Sequence, residues 1–171
     1  MRYRARFGRW GEACVARALE DRDYTVMTSN GLNLTPYRDM IATKLDKGYD
    51  VQVKSTCPRT STSVYQLDWH VVKKYLHLEE TERQLTKRKL VLAVVNPRNG
   101  YIYIYGAEYL KRITSDAEKG IGDHRSIPGR LHLQYHDGVC WNLLREEIAQ
   151  GIQIAEDDSD SGTSSLEDLP E

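Results

Sequence analysis

The amino-acid sequence predicts an α/β domain in which helices flank a central mixed β-sheet. Three stretches carry this prediction. "GRWGEACVARALE" (8–20) has apolar residues at helical spacing. "YDVQVKST" (49–56) alternates apolar and polar residues, which is typical of a strand with one buried face. "KLVLAVVNP" (89–97) is almost wholly apolar, which favours a central strand that is buried on both faces.

The first half of the chain reads as one helix followed by four strands. Turn-forming residues, among them asparagine, glycine and proline, separate the strands. After the helix, the predicted elements are a strand over 24–29, a loop over 30–36, a strand over 37–45, the strand over 49–56, a loop over 57–63 and a short strand over 64–69. Asp39 stands at the beginning of the second of these strands, and only the turn "DKG" separates that strand from the third.

The second half begins with a helix and ends with a predicted β-hairpin. Asp137-Gly138 lies between two alternating runs, which is a hairpin signal. The predicted elements are a helix over 69–88, the apolar strand over 89–97, a strand over 101–106, a short helix over 107–113, an irregular connection over 116–129, the hairpin over 131–144 and a last turn of helix over 145–152.

The end of the chain differs from the rest in charge. The stretch 156–171 holds seven of the 25 acidic residues and none of the 24 basic ones, which leaves 18 acids against 24 bases, or +6, for 1–155. The stretch is also polar and poor in apolar groups, and such segments are typically disordered. We therefore expect one domain over 1–155 and a disordered acidic tail over 156–171.

Composition limits the partners and the compartment. A charge of +6 suits a polyanionic partner, although it is also common on globular domains. No apolar run approaches the roughly 18 residues that a membrane span needs, and no secretory signal follows the arginine-rich start. Three scattered cysteines, Cys14, Cys57 and Cys140, indicate free thiols in a reducing compartment. We expect a cytoplasmic protein that has no membrane partner.

Four polar residues fall where the predicted elements would share a cleft. Glu12 lies in the middle of the apolar stripe of the first helix rather than on its wet face. Asp39 begins one strand, and Gln52 and Lys54 project from one face of the next. Two neighbouring strands and one covering helix can bring all four residues together.

Simpler interpretations of the same residues stay open. Glu12 is also near the start of its helix, where the helix dipole favours a partly exposed acid. Gln52 and Lys54 would also be ordinary on the solvated face of a strand. The sharper interpretation is chemical, because a buried carboxylate requires a partner or a metal ion.

The four residues supply what phosphodiester hydrolysis requires. Glu12 and Asp39 offer carboxylate oxygens and Gln52 offers an amide oxygen, which together suit Mg²⁺ or Mn²⁺. Such an ion polarises a phosphoryl group and lowers the pKa of an attacking water. Lys54 would offset charge in the transition state. The sequence therefore predicts a catalytic metal site with Glu12, Asp39 and Gln52 as ligands and Lys54 as the catalytic cation.

The ordered set resembles the PD-(D/E)XK nucleases, the restriction-endonuclease-like superfamily, over about residues 8 to 113. Asp39 matches the motif aspartate, Gln52-Val53-Lys54 matches the (D/E)-x-K triplet as a Q-x-K variant, and Glu12 matches the acid on the helix. "GRWGEACVARALEDRDYTV" and "YDVQVKST" are most similar to archaeal Holliday-junction resolvases and group-I-intron homing endonucleases, and glutamine replaces the triplet acid in the latter branch as well. The chain departs from the pattern at Pro36, which precedes the aspartate by three positions.

The resemblance implies a restriction-endonuclease-like core and a Mg²⁺- or Mn²⁺-dependent endodeoxyribonuclease of a prokaryotic or viral host. DNA would be the partner, and Ser55, Thr56 and Arg59 would contact its phosphates next to the site. Cutting both strands takes two sites, so a homodimer or a higher homo-oligomer is expected. A structure-selective Holliday-junction resolvase is one alternative. A catalytically inactive module that keeps the fold and binds nucleic acid is the other.

Overall fold

The structure of the protein, a computed structural model, describes residues 3–28, 38–60, 62–120 and 129–167. Along these ranges, groups of strands lie between successive helices. The elements are α1 (Tyr3–Glu20), β1 (Thr25–Thr28), β2 (Met40–Lys44), β3 (Lys47–Ser55), β4 (Val64–Asp68), α2 (Trp69–Thr86), β5 (Lys89–Asn96), β6 (Tyr101–Gly106), α3 (Ala107–Glu118), β7 (Arg130–Gln134), a 3-10 turn (Tyr135–Asp137), β8 (Val139–Asn142) and α4 (Arg145–Glu167).

A six-stranded sheet in the order β1-β2-β3-β5-β6-β8 forms the centre of the fold. β3 and β5 run parallel, and the other neighbouring pairs of this sheet are antiparallel. A helix connects the parallel pair, as the crossover between parallel strands requires. The predicted central mixed sheet with flanking helices is therefore confirmed.

Alternation along β3 and β5 divides the core between two helical layers. Val51 and Val53 belong to the apolar cluster under α1 and α4. Leu90, Leu92 and Val94 belong to the cluster under α2 and α3. Because successive side chains point to opposite faces, Asp50, Gln52 and Lys54 project to the α2 side of β3.

The predicted C-terminal hairpin is wrong, although both of its strands exist. β7 pairs with β4 in a separate two-stranded sheet, whereas β8 pairs with β6 at the edge of the central sheet. Tyr135 explains the difference, because its buried ring stacks on Tyr103 at 4.0 Å and its hydroxyl accepts a hydrogen bond from Asn96 at 3.2 Å. This anchor holds the 3-10 turn against the core, so the chain passes from one sheet to the other instead of folding back.

The two terminal helices pack against each other and cover one face of the sheet. The indole N–H of Trp10 donates to the backbone carbonyl of Glu147 at 3.0 Å, and a side chain at Gly151 would overlap the Trp10 ring. α4 is much longer than the single turn that the sequence predicts, and its backbone continues to Glu167 within the stretch expected to be disordered. The division into a domain over 1–155 and a separate tail stays a prediction.

Two predicted connections and the end of the tail fall in the gaps of the description. The loop over 30–36, most of the irregular connection over 116–129 and the last residues, 168–171, lie outside the described residues. Residues 116–118 of that connection belong to α3, which extends beyond the predicted end at 113. Within the described ranges, no helix has the length and apolar character needed to cross a membrane. Cys14, Cys57 and Cys140 are all free thiols.

Candidate active site

Asp39 lies where β2 and β3 separate. The ladder between these strands begins at Met40 opposite Val51, and β3 then continues beside β5. The Asp39 N–H donates to the Val51 carbonyl at 3.0 Å, and Asp39 Oδ2 accepts from the Val53 N–H at 2.7 Å. These two bonds fix the Asp39 carboxylate at the fork, next to the backbone that carries Gln52 and Lys54.

Helix α1 brings Glu12 to the same fork. A side chain at Gly11 would overlap the Ser55 hydroxyl at the end of β3, so glycine lets the helix lie directly against the strand. The next residue along the helix, Glu12, is half-buried, and its carboxyl hydrogen-bonds with Asp39. The structure therefore brings together the two acids that the sequence selects.

The two carboxyl groups are hydrogen-bonded to each other, and the pKa of each is raised. Burial, the largest cause, and the charge and hydrogen bond of Asp39 together raise the pKa of Glu12 from 4.5 to about 7, against the opposing charge of Arg9. Burial also raises the pKa of Asp39, against the lowering effects of the Val53 N–H, the Lys54 charge and the Glu12 hydrogen bond. With a pKa of about 7, Glu12 holds a proton below that pH and shares it with Asp39 through their hydrogen bond.

Gln52 contributes a buried oxygen that has no partner. The residue is 5% exposed, and its Oε1 atom accepts no hydrogen bond. Leaving a buried acceptor unsatisfied costs about 1–3 kcal/mol, so such an atom is uncommon unless a ligand completes it. Gln52 lies on β3 between Val51 and Val53, the two residues whose backbone groups anchor Asp39.

Lys54 projects from the same face of β3 as Gln52. Its charge acts on the Asp39 carboxylate, and its ammonium lies 5.9 Å from the centre of the Tyr75 ring of α2. Tyr75 is 2% exposed, and its buried ring therefore gives the lysine a fixed apolar neighbour. The sequence did not single out Tyr75, because only the packing of α2 on β3 brings the two side chains together.

The donor set fits a divalent cation that prefers oxygen ligands. Such an ion would neutralise two neighbouring carboxylates and give the unpartnered amide oxygen a ligand contact. Glu12, Asp39 and Gln52 would hold it. Among the described residues, no group of three or more His, Cys, Asp or Glu side chains could hold a metal ion, so a metal site at this position would need the Gln52 oxygen as well.

The three predicted phosphate contacts differ in accessibility. Arg59 is exposed and Thr56 is half-buried. The Ser55 hydroxyl is buried against α1 without a hydrogen-bond partner, which argues against a phosphate contact by this atom in the arrangement described. Phosphate contact by Thr56 and Arg59 stays a prediction.

Asp50 shares the strand face of Gln52 and Lys54 but has a different environment. It is 8% exposed, and its Oδ1 atom lies 2.8 Å from Arg88 Nε and 3.2 Å from Arg38 Nε. Arg38 also pairs with Glu82 of α2. Sequence reasoning missed this network, because the residues become neighbours only through the crossover from β3 to β5.

Comparison with known proteins shows the fold. No protein-family model matches the sequence, and no curated protein matches it. The solved structure of the Holliday-junction resolvase Hjc from the archaeal hyperthermophile Archaeoglobus fulgidus is similar, with a TM-score of 0.51 and 12% identity over 77% of this chain and 94% of that one. The bacterial homing endonuclease I-Ssp6803I is also similar, with a TM-score of 0.43 and 13% identity over 91% of this chain and 94% of that one.

Proposed function

We propose that this protein is a divalent-metal-dependent endodeoxyribonuclease. One observation carries the proposal: Glu12 and Asp39, two hydrogen-bonded acids with raised pKa values, meet at the fork of a sheet, next to the strand that carries Lys54 and the unpartnered amide oxygen of Gln52. The fold, which is also that of a Holliday-junction resolvase, supports it. The resemblance of the sequence to Q-x-K members of the PD-(D/E)XK superfamily supports the same assignment.

Each residue of the site has a defined task in this proposal. Glu12, Asp39 and Gln52 bind Mg²⁺ or Mn²⁺, which supplies Lewis-acid polarisation of the phosphoryl group and a more acidic attacking water. Glu12 must lose the shared proton before both carboxylates act as ligands. The Lys54 ammonium stabilises negative charge that develops on the phosphoryl oxygens.

Nicking of supercoiled plasmid tests the proposal. Wild-type protein should nick the plasmid with Mg²⁺ or Mn²⁺ and stop when EDTA is added. Asp39→Ala should abolish nicking and keep DNA binding, because the carboxylate that holds the metal ion is gone. Asp46→Ala removes an exposed aspartate from the turn after β2 and should cleave like wild type. Equal nicking by Asp39→Ala and wild type would refute the assignment.

The fold shared with the archaeal resolvase favours one second candidate, a structure-selective resolvase. A four-way junction and a linear duplex of the same sequence, compared under single-turnover conditions, separate the two. Preference for the junction by two orders of magnitude or more would identify the resolvase. Failure to cut either, with DNA binding intact, would identify an inactive binding module.

A homodimer or a higher homo-oligomer belongs to the same proposal, since a double-strand cut takes two sites. Light scattering coupled to size-exclusion chromatography should give a multiple of 19.7 kDa. A monomer at all concentrations would remove the oligomer from the proposal and leave the nuclease untouched.

A further inference from the structure

We propose that Arg38 is a positioning residue, which fixes Asp39 in the geometry that binds the metal ion. The inference rests on the proposed function and extends it to a residue outside the ligand set. Arg38 directly precedes Asp39 in the chain, so any anchor on its side chain also restrains the aspartate backbone. Neither the alternation of the strands nor the superfamily motif selects this arginine.

Asp39 needs such an anchor because it lies just outside the β2–β3 ladder. The ladder begins one residue later, at Met40. Two hydrogen bonds hold Asp39, one from its own N–H to Val51 and one to its carboxylate from the Val53 N–H. Both come from the backbone of a single strand, β3, so they act as a hinge, and rotation about β3 is restrained on the α1 side by the hydrogen bond with Glu12.

The Arg38 side chain restrains that rotation by reaching α2 as well as β3. Its Nε lies 3.2 Å from Asp50 Oδ1 on β3, and its guanidinium also pairs with Glu82 on α2. The side chain is only 13% exposed, so water screens these pairs weakly. A planar guanidinium that binds two carboxylates at once has one orientation, which a lysine would not reproduce.

Arg88 provides a matched control within the same network. It pairs with the same Asp50 oxygen at 2.8 Å, and its side chain is 23% exposed. It lies between α2 and β5, far along the chain from Asp39, so losing it removes a similar ion pair without releasing the aspartate. Arg38 and Arg88 therefore separate positioning of Asp39 from general stabilisation.

The test compares Arg38→Met with Arg88→Met by isothermal titration of Mn²⁺ into the full-length protein, together with urea unfolding. Both variants should unfold at lower urea than wild type. Arg38→Met should raise the Mn²⁺ dissociation constant by about tenfold or more, the usual effect of losing a residue that orients a metal ligand. Arg88→Met should change it less than about twofold. Equal dissociation constants for the two variants overturn the inference.

A milder variant covers the case in which Arg38→Met does not fold. Glu82→Gln weakens one of the two Arg38 pairs and leaves Asp50 in place, so Mn²⁺ affinity should fall by roughly threefold, below the effect of losing a whole orienting residue. Unchanged affinity in Glu82→Gln overturns the inference as well. If wild-type protein shows no Mn²⁺ binding that depends on Asp39, the proposed function is overturned. If wild-type protein binds Mn²⁺ and Arg38→Met binds it with the same dissociation constant, only the positioning role of Arg38 is overturned.

Discussion

Asp50 is buried and Asp39 is half-buried, and the surroundings of these two aspartates are opposite. Asp50 faces two arginines, at 2.8 and 3.2 Å, and its charge is neutralised within the protein. Asp39 faces another acid, and burial raises the pKa of both carboxyl groups. The first arrangement is complete, whereas the second lacks a positive charge at its centre.

The difference between the surroundings of Asp50 and Asp39 distinguishes a residue that stabilises the fold from one that would act in a site. A buried ion pair costs desolvation energy, which its partners offset, so the Asp50 network serves to hold β3, α2 and the start of β2 in place. Burial and Asp39 raise the pKa of Glu12, and the Val53 N–H, the Lys54 charge and the Arg9 charge offset the cost of burying these two acids only in part. Strongly perturbed acids in such positions are typical of sites that bind or react. The comparison predicts opposite outcomes for equivalent substitutions in the two places.

The largest contrast is expected between Asp39→Asn and Asp50→Asn. Asp39→Asn should lower cleavage by about a thousandfold or more, because the central ligand loses its charge. Its free energy of unfolding should stay equal or rise, since one of two repelling groups is gone. Asp50→Asn should lose about 3 kcal/mol of stability, because two arginines lose their anion, and should lower cleavage far less. Urea unfolding and single-turnover cleavage of both variants check the pair.

The next largest effect is expected from removing the Lys54 ammonium, which lies on the same face of β3 as Asp50 and Gln52. Lys54→Met should lower the cleavage rate by about a hundredfold while Mn²⁺ affinity stays equal or increases, because its charge acts mainly in the transition state. Lys47→Met removes an exposed lysine from the same strand and should cleave like wild type. A Lys54→Met variant with normal cleavage at saturating metal would contradict the catalytic role.

Replacing Gln52 with an acid should strengthen metal binding at the candidate site. Gln52→Glu supplies a third carboxylate, so cleavage should saturate at a metal concentration several-fold lower than in wild type. Gln66→Glu places the same change on an exposed position of β4 and should leave the metal dependence unaltered. Superimposable metal titrations for wild type and Gln52→Glu would place Gln52 outside the ligand set.

The smallest effect concerns pH in the absence of metal. Because folding raises the pKa of Glu12 from 4.5 to about 7, the folded protein binds more protons than the unfolded chain between these values. The free energy of unfolding should therefore fall as pH rises from about 4.5 to about 7. Glu12→Gln should flatten this slope, and urea unfolding at three pH values measures it. A slope that is the same in both proteins would show that folding does not raise the pKa of Glu12.

Local sequence patterns predicted the strands that carry the site but not their neighbours. The alternation of "YDVQVKST" identified β3 and the face that carries Gln52 and Lys54, because side-chain direction in a strand follows from spacing alone. Glu12 was recognisable for a similar reason, as an acid on an apolar helical stripe. Both inferences need only the geometry of one element.

The features that the sequence did not reveal depend on pairing between distant segments. The strands of the predicted hairpin have the expected alternation, yet the buried Tyr135 sends them to different sheets. Asp50 was indistinguishable from a solvated strand residue until the crossover placed Arg38 and Arg88 beside it. The burial of the Ser55 hydroxyl likewise follows from its contact with Gly11, which lies 44 positions earlier in the chain.

Titration of Mn²⁺ in two buffers of different ionisation enthalpy tests the central claim most directly. If Glu12, Asp39 and Gln52 bind the ion, wild-type protein near pH 6.5 should bind it and release a substantial fraction of about one proton, since the proton shared by the two acids must leave. Glu12→Gln should bind more weakly and release far less. Binding without proton release in wild type, or equal binding by wild type and Asp39→Asn, would contradict the account.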